Sequence, residues 1–133
     1  MNAAPNSLKS SLKVYLVDDT ESVRRRLADR LSDIEGVEIV GEAETPGEAT
    51  EGILATHPHA VLLDLGLKGG SGLEVLRGVH AKEPCIVFIV LTNHAEPAYQ
   101  QRCLQLGASY FLDKSHHFET AANIVSGLCK QPH

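Results

Sequence analysis

The 133-residue chain lacks the features that mark several large classes of protein. Its longest apolar run is Ile86 to Leu91, far short of the roughly 20 residues that cross a bilayer. Met1 to Leu12 is polar, with no apolar core, and is not a secretory leader. Cys85, Cys103 and Cys129 are odd in number and lack metal spacing. Each has apolar neighbours, so buried, reduced thiols of a cytoplasmic protein are expected. The net charge is −5 and there is no basic patch, which argues against direct nucleic-acid binding. The one dense basic run, Arg24-Arg25-Arg26, points in three directions on a helix and reads as a solvated face. His57-Pro58-His59 and His116-His117 do not have zinc-site spacing and are expected on surface loops. Gly69-Gly70-Ser71-Gly72 lacks the Gly-Lys-Ser/Thr ending of a phosphate cradle and reads as a flexible turn into a helix. No repeat, low-complexity segment or composition shift divides the chain. One domain is expected over residues 12–129, with short tails at 1–11 and 130–133.

What the chain does have is a recurring pattern. Ala60-Val61-Leu62-Leu63 runs straight into Asp64, and a glycine-rich loop follows. A continuous apolar run bounded by turn residues predicts a strand buried on both faces. Leu12 to Val17 is another strand, ending in Asp18-Asp19, and Cys85 to Leu91 is a third, ending in Thr92. Val37 to Ala43 alternates as an edge strand does, and Ala108 to Leu112 leads to Asp113-Lys114. Between these lie helical patterns: Val23, Leu27, Leu31 and Ile34; Ala49, Ile53 and Leu54; Leu73, Leu76 and Val79; Tyr99, Cys103 and Leu106; Phe118, Ala122, Val125 and Cys129. Thr45-Pro46-Gly47-Glu48 is a capping box, Gly107 a helix-ending turn, and Ser115 the expected cap of the last helix. Strand and helix alternate five times, which predicts an α/β fold: a parallel sheet with helices on both faces.

Open α/β sheets bind ligands outside the carboxyl ends of their strands. Those ends carry Asp18, Asp19, Asp64, Thr92 and Lys114. Asp64 alone fits a helix cap or loop equally well, but its companions change the reading. Carboxylates brought together repel and call for a hard cation such as Mg²⁺. A carboxylate can also serve as a nucleophile toward phosphorus, with an ammonium and a hydroxyl aimed at the phosphoryl oxygens.

The motifs Val17-Asp18-Asp19, Leu63-Asp64, Leu91-Thr92 and Gly107 to Lys114 resemble, in order and spacing, the receiver domain of bacterial two-component response regulators. The resemblance covers about Leu12 to Cys129 and implies a doubly wound (βα)5, flavodoxin-like sandwich with strand order 2-1-3-4-5. It implies that Asp64 accepts a phosphoryl group from a histidine kinase or an acyl phosphate. Asp19, Asp64 and the main-chain carbonyl of Gly66 would hold Mg²⁺ (or Mn²⁺), with Asp18 orienting its water ligands. Lys114 would pair with the phosphoryl group. Thr92 would swing toward it and Phe111 would follow inward as the aromatic switch, while Tyr110 points to the other face. The face formed by the fourth helix, fifth strand and fifth helix would meet a downstream protein, as a monomer or a phosphorylation-dependent dimer. Such a domain signals and is not an enzyme in its own right.

Four departures from the family pattern stand out. Ser115 replaces a common proline, and a cis bond there would cost about 3–4 kcal/mol. Lys68 replaces another, so a less rigid loop is expected. Asn93 replaces a small residue and narrows access to Asp64. Gly66 and His94 occupy variable positions that flank the phosphoryl group and are expected to tune its lifetime. Other readings remain open here: a stand-alone regulator, the excised receiver of a longer DNA-binding regulator, an aspartate-nucleophile phosphatase, or a flavin protein. The phosphatase wants a second acid where Gly66 stands, and the acid-lined rim repels a flavin phosphate.

Overall fold

The computed structural model describes residues 11–115 and 117–130; most of the two expected tails and His116 lie outside the described residues. Five parallel strands form the main sheet: β1 (Leu12–Val17), β2 (Val37–Ala43), β3 (Ala60–Leu63), β4 (Val87–Thr92) and β5 (Tyr110–Asp113). Helices α1 (Glu21–Ser32), α2 (Pro46–Thr56), α3 (Gly72–Lys82), α4 (Pro97–Gln105) and α5 (Phe118–Cys129) connect and flank them. The order is β2-β1-β3-β4-β5, as the resemblance implies. A separate two-residue antiparallel ladder, Gly66–Leu67 with Gly70–Ser71, stitches the loop after β3.

The period-two alternation of the strands divides the core in two. Tyr15, Val17, Val61, Leu63, Phe88 and Val90 meet α2, α3 and α4 on one face. Leu12, Val14, Leu16, Leu62, Ile89 and Leu91 meet α1 and α5 on the other. Every residue of β3 is buried, because helices cover both its faces. A fully buried side chain such as Phe88 contributes about 2–3 kcal/mol of transfer free energy. β2, at the edge, leaves Glu38 and Glu42 exposed. No helix among the described residues is long and apolar enough to cross a membrane.

Several local expectations are corrected. Cys85 stands in the exposed turn before β4, which begins at Val87; Cys129 is half-buried, and only Cys103 is fully buried. Ser115 does not cap α5. His117 is the N-cap residue, and the Ser115 amide donates to Asp113 Oδ1 at 2.9 Å instead. Tyr99 is 42% exposed, which leaves Cys103 as the buried anchor of α4. Thr45 accepts the Glu48 amide at 3.2 Å, but the Glu48 carboxylate reaches the Glu44 amide, so only half of that capping box forms. The full reciprocal box lies at α3, between Ser71 and Glu74. The arginine run is not a uniformly solvated face: Arg26 stacks 4.4 Å over the Phe118 ring, and Arg24 is largely buried against Glu42. Gly107 does end α4 with φ +112, and the ring of His80 packs against it.

Candidate functional site

The sheet's hydrogen-bond ladder continues to the rim and fixes the backbone of the site. The Asp18 amide donates to Ala43 O at 3.1 Å, the Asp64 amide to Val17 O at 2.9 Å, and the Lys114 amide to Thr92 O at 2.9 Å. Residues 96 and 50 positions apart therefore arrive at one place. Lys114 Nζ donates to Asp18 Oδ2 and to Asp64 Oδ2, each at 2.6 Å. Asp18 and Asp64 are buried, at 2% and 7% exposure. Asp19 is more open; carboxylate oxygens of Asp18, Asp19 and Asp64 lie within 4.8 Å of one another.

Local turns set the carboxylates. Asp18 Oδ1 accepts the Thr20 amide at 2.9 Å, closing the turn into α1. Thr20 Oγ1 donates to Asp19 Oδ1 at 3.2 Å rather than capping the helix. Gly66 N donates to Asp64 Oδ1 at 3.3 Å. Gly72 packs against the candidate site, although none of the motifs that carry the resemblance includes it. A Cβ there would collide with the main-chain oxygen of Asp64, so only glycine lets α3 start against the aspartate. A glycine one helical N-terminus downstream of a strand-ending aspartate was the available signal.

The electrostatics show an incomplete balance. Burial pushes the Asp18 carboxyl above the ordinary aspartate range and the Asp64 charge adds to this; the bonds from Lys114 and Thr20 pull it only part of the way back. Burial alone would lower the Lys114 pKa, but the bonds and charges of the two acids outweigh it and hold the ammonium charged. One ammonium thus serves two buried acids, with a third carboxylate beside them. This all-oxygen, negatively charged donor set fits a hard divalent ion that keeps several waters.

The other side of the rim is built from short-range contacts. Thr92 is fully buried and its Oγ1 accepts the His94 amide at 3.1 Å. Asn93, exposed, accepts a bond from Ser115 Oγ at 3.4 Å. The His94 ring lies 5.9 Å from that of Tyr99, and a Cβ on Gly66 would sit 3.4 Å from His94 Nε2, so Gly66 and His94 are neighbours across the mouth. Phe111 is half-buried against the α2–α4 core, opposite Val90, while Tyr110 is 39% exposed. No cis peptide occurs among the described residues. The loop carrying Lys68 is tied down: its amide donates to Glu44 O at 3.0 Å and its Nζ to Glu44 Oε1 at 2.8 Å. That bond lowers the Glu44 pKa and raises that of Lys68.

A doubly wound parallel sheet with an acid–lysine cluster outside its carboxyl ends defines a class of signalling proteins, and comparison with known proteins gives the family. The model of the response regulator receiver domain matches residues 14–126, and the chain belongs to that family. The response regulator GacA of Pseudomonas aeruginosa is 32% identical over 114 residues, covering 86% of this chain and 53% of that protein. The DNA-binding transcriptional activator DevR/DosR of Mycobacterium tuberculosis is 34% identical over 103 residues, 77% of this chain and 48% of its own length. The chain therefore spans about half the length of these relatives. Among solved structures, a LuxR-family two-component response regulator from Aurantimonas superposes with a TM-score of 0.83 at 27% identity, over 90% of this chain and 86% of that one. The response regulator domain of Thermotoga maritima CheB gives 0.80 at 25%, over 91% and 95%. Receiver domains are signalling domains, and they generally bind Mg²⁺ at an acidic pocket of this kind.

Proposed function

We propose that the chain is a cytoplasmic phosphoacceptor switch, its receiver unit spanning residues 12–129, with Asp64 as the acceptor. The observation that carries this is the bridge from Lys114 Nζ to both Asp18 and Asp64, with Asp19 beside them. An oxygen of the Asp64 carboxylate attacks phosphorus, forming an acyl-phosphate bond. The bond to the donor breaks, from a phosphohistidine of a kinase or from a small acyl phosphate, and its electron pair leaves with the donor. Lys114, already at the Asp64 oxygen, shifts its donation to a phosphoryl oxygen. Asp18, Asp19, Asp64 and the Gly66 carbonyl would hold Mg²⁺ (or Mn²⁺), which when bound supplies charge to the phosphoryl oxygens. Thr92 exchanges its bond with the His94 amide for one to the phosphoryl group. Phe111 moves into the space released, biasing a pre-existing equilibrium. The face of α4, β5 and α5 then meets a partner protein, and the receiver itself makes no contact with nucleic acid.

The test is phosphorylation by acetyl phosphate and Mg²⁺, read as a mass increase. Wild type is expected to gain one phosphoryl group. Asp64→Ala is expected to gain none while keeping its circular dichroism spectrum; labelling of that variant would refute the assignment. A second reading concerns context. Because the chain spans half of its relatives, one of them named as a DNA-binding activator, it also fits the receiver half of a longer transcription regulator. A helix-turn-helix segment following in the parent gene would establish this.

A further inference from the structure

Arg24 is set apart within the arginine run. Its side chain is 12% exposed, against 69% for that of Arg25. The guanidinium donates to the main-chain carbonyl of Asp18, pairs with Glu42 at 2.8 Å and lies 3.5 Å from Glu44. Glu44 in turn holds Lys68 by a side-chain and a main-chain bond. A chain of hydrogen bonds and ion pairs therefore joins the turn bearing Asp18 and Asp19 to the loop that carries Gly66 and Lys68. We infer that Arg24 is a positioning residue for the divalent-cation site, fixing through the Asp18 carbonyl the turn that presents the paired acids.

The inference rests on the cation-dependent reading of the rim, and its sign separates it from a plain charge effect. A positive charge beside three carboxylates competes with an incoming cation, so by Coulomb's law alone Arg24 weakens cation binding. Only the geometry it imposes can make it favourable. Arginine suits that role: its planar fork serves one carbonyl and two carboxylates at once, which a lysine ammonium on a flexible stem does not.

The experiment is calorimetric titration of Mg²⁺ into the full chain, as wild type, Arg24→Gln and Arg24→Lys, at a temperature where circular dichroism shows each folded. Arg24→Gln is expected to weaken binding about tenfold, the effect typical of groups that support metal ligands. Arg24→Lys, which keeps the charge and loses the fork, is expected to weaken it too. Equal or tighter Mg²⁺ binding by Arg24→Gln overturns the inference, tighter binding being what charge alone predicts. Wild-type affinity in Arg24→Lys overturns it as well, and this variant carries the test if the glutamine variant does not fold. Absence of saturable binding in wild type has a different meaning: it removes the cation site and with it the functional reading.

Discussion

The two sides of the rim are built on different physics. On one, Asp18, Asp64 and Lys114 come from three distant strands and lock together through 2.6 Å charge-assisted bonds in a mostly dry setting. On the other, the Thr92 hydroxyl accepts one bond, from an amide two residues away, while its backbone stays in the sheet, and His94 and Tyr99 meet as rings on exposed loop and helix. Buried charge is costly to rearrange, while a single neutral hydrogen bond is worth only about 1 kcal/mol. The acid–lysine side is suited to hold chemistry in place, and the hydroxyl side to move. That division fits the proposed switch, in which a fixed reaction centre would be coupled to a lightly held lever.

Breaking the fixed side should have the largest effect. Lys114→Ala strands two buried carboxylates and is expected to destabilise the fold by about 3 kcal/mol, read as a lower denaturant midpoint. Phosphorylation by acetyl phosphate should slow about a hundredfold, as when one donor to a developing charge is lost. Asp18→Asn cuts the other way. The folded-state pKa of Asp18 lies above its unfolded value of 3.8, so the native state binds this proton more readily, and stability is lost as pH rises through that window. Above the raised folded-state pKa the full cost is present. A neutral amide in place of the carboxylate would remove it, and a gain of about 1 kcal/mol is expected at neutral pH, shrinking as pH falls toward the unfolded value. A gain that does not change with pH would contradict the account of one ammonium shared by two acids.

The mobile side should respond in function rather than in stability. The double variant Gly66→Asn, His94→Glu should leave the midpoint within about 0.5 kcal/mol while changing the dephosphorylation rate several-fold. Equal rates in wild type and variant would defeat the expectation that these two neighbours tune phosphoryl lifetime. The smallest signal is expected from Cys103, the buried anchor of α4. Burial pushes its thiol up to about 11, and thiolate is the reactive form, so alkylation at mildly alkaline pH should reach Cys85 first and Cys103 very slowly. Acetyl phosphate with Mg²⁺ should speed Cys103 labelling modestly. An unchanged rate would argue that α4 does not take part in the switch.

The chain's own order of residues determined more than the element list. Apolar runs ending in Asp18, Asp64 and Thr92 marked the strands and which residues would share the rim, because a parallel sheet must place all its carboxyl ends on one side. The period of each run is a local property, readable without any partner. Tertiary structure decided the rest. That Arg24 leaves solvent, that Lys68 secures a loop expected to be slack, and that Gly72 must be glycine each depend on a neighbour brought close by the fold. The misplaced cap at Ser115 has the same origin: its amide found Asp113 and its hydroxyl found Asn93, and neither choice can be scored within one helix. Hydrophobic periodicity repeats over many residues and survives local exceptions, whereas a single polar side chain bonds to whichever partner the packed fold brings within about 3 Å.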